Sequence, residues 1–123
     1  MSFAYSYEVQ QTDGQVTYKT INGVLSIEGE ELLFEYKLYD QSRTSISVLN
    51  KFSFNVDLVQ SIRFKKTLFS AYVIIETIQP VFLDPLPGSS KGIIHLQIDR
   101  DHRKQAEDFC TKINVAMERR REK

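Results

Sequence analysis

The chain has 123 residues, 41% of them hydrophobic and 26% charged, which suits one globular domain and excludes wholesale disorder. Lysines and arginines number 16 and aspartates and glutamates 16, so no net field draws in DNA or RNA. The single cysteine, Cys110, excludes an intrachain disulfide and a cysteine-built zinc site.

The first residues carry neither the basic nor the apolar region of a secretory leader. The longest apolar run, 71–75, falls far short of the roughly 20 residues of a membrane helix. The expectation is one soluble domain, 1–123, in the cytoplasm, where an unpaired cysteine stays reduced. Charge is unevenly placed. Residues 1–50 hold three basic side chains against seven acidic, whereas residues 51–98 and 99–123 are each mildly basic. Such division can orient copies head to tail, so a homo-oligomer is one expectation.

Phe3, Tyr5 and Tyr7 alternate with Ala4, Ser6 and Glu8, the period of a strand. Asp13-Gly14 signals a turn, after which Val16 and Tyr18 continue the alternation. Asn22-Gly23 suits a type I′ hairpin turn, or a bulge. Leu25 and Ile27 follow, then a turn at Glu28-Gly29-Glu30. Leu32, Phe34, Tyr36 and Leu38 share one face of the next strand, with Leu33, Glu35, Lys37 and Tyr39 on the other. Asp40-Gln41-Ser42 breaks the pattern before a short apolar pair, Ile46 and Val48. Phe52, Phe54 and Val56 alternate again.

A strand around Ile62 and Phe64 turns Arg63 and Lys65 the opposite way, and residues 66–70 form a turn. Residues 71–78 are β-rich and almost wholly apolar, as in a central strand. The segment 79–92 holds all three prolines and reads as loop, with a short edge strand at 81–83. Ile94, Leu96 and Ile98 form the last strand. From Asp99 the period changes: Ala106, Phe109, Cys110, Ile113 and Met117 fall on one helical face. Asp99 or Asp101 can cap its start, and Arg119, Arg120 and Arg121 complement the dipole at its end.

These elements predict a mainly β (α+β) domain of antiparallel strands with one amphipathic helix laid on them. The layout resembles the pleckstrin-homology-like (PH-like) domains of bacteria. The likeness rests on the run Phe52 to Phe69, the apolar strand to Ile78, the strand from Gly92 to Ile98 and the helix with Ala106, Phe109 and Ile113. It spans residues 20–118 and implies a barrel of about seven strands capped by the C-terminal helix, with Phe3 to Lys19 as an N-terminal strand addition. It also implies an interaction module, in a family known for packing side by side into oligomers. The basic turn that binds inositol phosphates in eukaryotic relatives has no counterpart. The most similar hairpin carries Glu28, Glu30 and Glu31, so no phosphoinositide site is expected.

No catalytic motif is present, and the expectation is a protein without enzymatic activity, cofactor or metal. His95 and His102 lie near Asp99 and Asp101, but nothing brings three ligands together, and both read as surface histidines. Cys110 lies on the apolar helix face and reads as a small hydrophobe. The arginines at 119–121 read as a frayed helix end. The strongest candidate binding cluster is Arg63, Lys65, Lys66, Leu68 and Phe69: cations around an apolar turn suit a phosphate or an anionic membrane. The sequence favours a plainer reading, in which Leu68 and Phe69 fold back as core or interface, and the membrane is the weaker one. Tyr5, Tyr7, Leu33 and Tyr39 exceed what a small core needs and suggest a protein-binding surface. The first functional expectation is therefore a module binding a protein partner or its own copies. The rival is a small ligand- or lipid-binding barrel lined by Phe34, Tyr36, Phe52 and Phe54, which needs an interior cavity of roughly 300 Å³ or more.

Overall fold

Alternating side chains build two antiparallel sheets, and one helix covers the space between them. The computed structural model describes residues 1–12, 16–40 and 48–121. The first sheet holds β1 (Ser2–Thr12), β2 (Val16–Glu28), β3 (Glu31–Tyr39) and β4 (Asn50–Asn55), in that order. A 3₁₀ turn, Val56–Leu58, leads to the second sheet of β5 (Val59–Lys66), β6 (Ala71–Thr77) and β7 (Ile93–Gln97). The helix α1 spans Arg103–Arg121. No ladder joins the two sheets among the described residues, so they form an open pair and not a closed barrel. The expected turn at Asp13-Gly14, the break at Gln41-Ser42 and Ile46 lie outside the described residues.

The N-terminal strand is integral to this core. β1 pairs with β2 along its length, from Ser2↔Ser26 to Thr12↔Val16. Its inward face buries Phe3, Tyr5 and Tyr7, so Tyr5 and Tyr7 are core residues and not the spare surface expected of them. Phe3 meets Phe109 of α1 edge to face, with ring centroids 5.0 Å apart. The helix stripe Ala106, Phe109, Cys110, Ile113 and Met117 is buried throughout, as its spacing predicts. Asn114 Nδ2 donates to the Ile62 carbonyl at 3.0 Å, so the helix also pairs with part of the edge of β5. Asp99 precedes a 3₁₀ turn, Arg100–His102, and makes no side-chain capping bond.

The type I′ turn expected at Asn22-Gly23 does not form there. Asn22-Gly23 is strand, because Gly23 lies opposite Tyr5. A Cβ at Gly23 would stand 2.5 Å from the Tyr5 ring and 2.5 Å from the Glu35 carbonyl oxygen, so only glycine lets this ring lie across β2. Positive φ at two successive residues, as a type I′ turn needs, occurs instead at Lys91 (55°) and Gly92 (76°), between the bridged pair Ser90 and Ile93. No edge strand forms at 81–83. Pro80–Leu83 is a 3₁₀ turn, opened by its proline, that buries Leu83, with Leu86 buried beyond it.

This proline segment is a second lid. Tyr7 Oη donates to the Pro87 carbonyl at 2.6 Å and Tyr36 Oη to that of Pro85 at 2.7 Å. Tyr5 Oη is buried without a hydrogen-bond partner in the protein. Burial raises the pKa of Tyr5 and of Tyr7 well above the ordinary tyrosine value, so both stay neutral. The two hydroxyls should therefore respond oppositely to removal. Tyr7→Phe should lower unfolding stability by about 1 kcal/mol, whereas Tyr5→Phe, which deletes an unpaired buried group, should leave it equal or higher. Denaturant unfolding of the two variants checks this, and a loss at Tyr5→Phe as large as at Tyr7→Phe would refute it.

Candidate functional site

Strand alternation turns one face of each sheet outward. Where β1 and β7 run beside each other, these outward faces line a groove of about 1150 Å³. Ser6 and Glu8 of β1 enter it beside Tyr18, Thr20 and Asn22 of β2. Tyr39 and Asp40 come from the end of β3, Tyr72 from β6, His95 and Gln97 from β7, and Asp99 from just beyond. Register explains the assembly: Glu8 faces Thr20, Thr20 faces Tyr39, and Tyr72 faces Gln97. Ser6 Oγ donates to Asn22 Oδ1 at 2.7 Å within the floor. Three carboxylates and three outward tyrosines thus share one concavity, and neither lysine nor arginine is among its described lining residues. Lys37 and Lys65 stand one register position away, across from Asn22 and Tyr72.

His95 points away from its buried neighbours Ile94 and Leu96, as strand alternation predicts, and joins the groove with Asp99. Among the described residues no group of three histidine, cysteine, aspartate or glutamate side chains is placed to hold a metal ion. Cys110 is buried, and that burial pushes its thiol up to about 12, which keeps it protonated at neutral pH.

The predicted cluster of Arg63, Lys65, Lys66, Leu68 and Phe69 comes together at the β5–β6 hairpin. Arg63, Lys65 and Lys66 are exposed, while Phe64 turns inward against the core. Leu68 and Phe69 do not fold back. They are 85% and 81% exposed at the tip. The turn is closed by its own polar groups: the Thr67 amide donates to the Ser70 carbonyl at 2.7 Å, and the Ser70 amide to Thr67 Oγ1 at 3.0 Å. A turn stapled this tightly has no slack to tuck its two central side chains inward. Arg103, at the start of α1, reaches the Phe69 carbonyl at 3.4 Å.

The acidic turn is the second hairpin, between β2 and β3, with Gly29 at a φ of 61°. It is a structural clasp. Arg120 pairs with both Glu30 and Asp57, tying the end of α1 to this turn and to the 3₁₀ turn after β4. The expected frayed end is therefore held at Arg120. Arg119 is exposed, and the side chain of Arg121 lies outside the described residues.

Phe34, Tyr36, Phe52 and Phe54, the candidate lining of an interior ligand site, fill space with one another. Phe34 and Phe52 stack at 4.8 Å, and Phe34 and Phe54 at 5.6 Å. Among the described residues no helix is long and apolar enough to cross a membrane. Set against models of known families, curated proteins and solved structures, the chain matches none.

The groove was legible only in part from the sequence. Tyr39 and His95 could be assigned to outward faces by alternation, but Glu8, Tyr18 and Tyr72 meet only once the pairing of the strands is known. The clasp has a sharper signature. A hydrogen bond from Arg120, and then its charge, hold the Glu30 carboxyl below the ordinary 4.5. A carboxyl depressed in the folded state contributes stability above its unfolded value and loses it as pH falls through the folded one. NMR titration should place the Glu30 midpoint below 4.5, and Arg120→Gln should return it towards 4.5. An unchanged midpoint would remove the clasp.

Proposed function

We propose that this protein is a non-enzymatic, PH-like interaction module whose groove holds an extended, arginine-bearing segment of a partner protein. The PH-like likeness rests on the order of four strands, three strands and a terminal helix. The observation that carries the binding reading is the groove itself. Glu8 and Asp99 bring carboxylates to its described lining, and Tyr18, Tyr39 and Tyr72 add aromatic surface. A guanidinium is suited to both, since it pairs with carboxylates through its planar fork and stacks on aromatic faces. A concave wall whose described lining carries carboxylates and neither lysine nor arginine also concentrates cationic partners. The stacked phenylalanines inside the sheets favour this outer site over a ligand held in the interior.

Calorimetry with an unstructured peptide of arginines spaced by glycine and serine tests the reading. Binding should weaken as salt rises. Glu8→Gln with Asp99→Asn should weaken it about tenfold, the effect of losing two exposed charge pairs worth about 0.5–1 kcal/mol each. Equal binding by wild type and the double variant would overturn the proposal. So would a wild-type mass above the 14.3 kDa of one chain that reverts in the double variant, because the groove would then hold a second copy.

A further inference from the structure

We infer that the β5–β6 hairpin is a wedge that seats this protein on an anionic bilayer, with Leu68 and Phe69 entering the headgroup boundary and Arg63, Lys65 and Lys66 lying against lipid phosphates. Single exposed apolar side chains are ordinary on protein surfaces, but two adjacent large ones above 80% exposure on one tip are not. Their shape decides the partner. A protein interface wants a broad complementary face, and two side chains at the end of a two-stranded hairpin offer a narrow projection. A bilayer surface accepts such a projection at any lateral position.

The backbone is prepared for the move. Backbone polar groups already paired within the protein lose less on leaving water, and the Thr67–Ser70 staple pairs part of the turn before contact. The Phe69 carbonyl takes its bond from Arg103, which brings a fourth cation beside the turn. Arg63 and Lys65 share the outward face of β5, and Lys66 stands where the strand ends. The 3₁₀ turn before α1 brings Asp99 and Asp101 with Arg100, and α1 opens with Arg103 and Lys104, the latter drawn to Asp108 at 3.8 Å. The cations therefore outnumber the carboxylates around the tip. Both signals are small, and it is their combination that anchors: a modest apolar insertion is retained only where basic side chains add electrostatic attraction. Lys65 stands at the rim of the groove, across from Tyr72, but none of Arg63, Lys65, Lys66, Leu68 and Phe69 is among its described lining residues, so this inference does not rest on the reading of the groove.

Sedimentation of the full chain with vesicles tests it. Phosphatidylcholine containing a minority of phosphatidylglycerol should retain the protein, pure phosphatidylcholine should not, and salt should release it. Lys65→Glu with Lys66→Glu should lower partitioning more than tenfold, since each cation near an anionic surface is worth about a fivefold change. Leu68→Ser with Phe69→Ser should lower it at least as far while leaving the melting curve in place, because both side chains already face solvent. Equal retention of the serine variant and wild type, or no retention of wild type, would overturn the inference. Retention that requires a phosphoinositide at matched charge would overturn it too, by replacing a surface with a specific headgroup. Oligomers formed without lipid and dispersed by the serine variant would assign the tip to protein contact instead.

Discussion

The inward face of β1 is the constraint on which the rest of the structure depends. Two open sheets expose apolar faces that neither can cover alone, and α1 covers them only if it has a surface on both sides. Phe3 supplies the near side through its edge-to-face contact with Phe109, while Asn114 bonds to β5 on the far side. Farther along the same strand, Tyr7 fastens the proline segment through Pro87. One strand therefore holds two lids, the helix and the loop 79–92. Because Phe3, Tyr5 and Tyr7 face inward, Ser6 and Glu8 between and beyond them must face outward, into the groove. The groove is the reverse side of the core.

That arrangement separates chemistry from packing. Inside, aromatic rings stack on one another, Tyr7 and Tyr36 direct their hydroxyls to carbonyls of the lid, and Cys110 stays a protonated thiol. Outside, charge is sorted along the chain's surface. The acidic N-terminal half gives the groove Glu8 and Asp40, and the basic middle gives the hairpin Arg63, Lys65 and Lys66. A domain with zero net charge can thus present two surfaces of opposite preference. The acidic turn near Glu30 belongs to neither, since Arg120 engages it in holding the helix.

What was legible in the sequence follows from how local each signal is. The helix stripe from Ala106 to Met117 and the alternation of Leu32, Phe34 and Tyr36 depend on the chain's own period, and both faces are buried as expected. The tertiary partner of a glycine is not local. Asn22-Gly23 carries a strong turn signal, yet Gly23 serves the Tyr5 ring across the ladder, and the positive φ values appear at Lys91-Gly92. The proline segment reads as loop because its prolines break strands, while its role as a lid comes from tyrosines far away in sequence. The basic cluster was visible, but the exposure of Leu68 and Phe69 was not, because composition cannot say whether an apolar turn folds back. The Thr67–Ser70 staple decides that.

The central claim is that β1 and α1 are coupled through Phe3 and Phe109, so that core closure and the placing of the outer groove are one event. A double-mutant cycle of Phe3→Leu and Phe109→Leu, read by denaturant unfolding, tests it most directly. The structure predicts that the two losses fail to add, with a coupling of about 0.5–1.5 kcal/mol as for other buried aromatic pairs. Losses that add to within about 0.3 kcal/mol would mean that strand and helix are stabilised independently, and would contradict the claim.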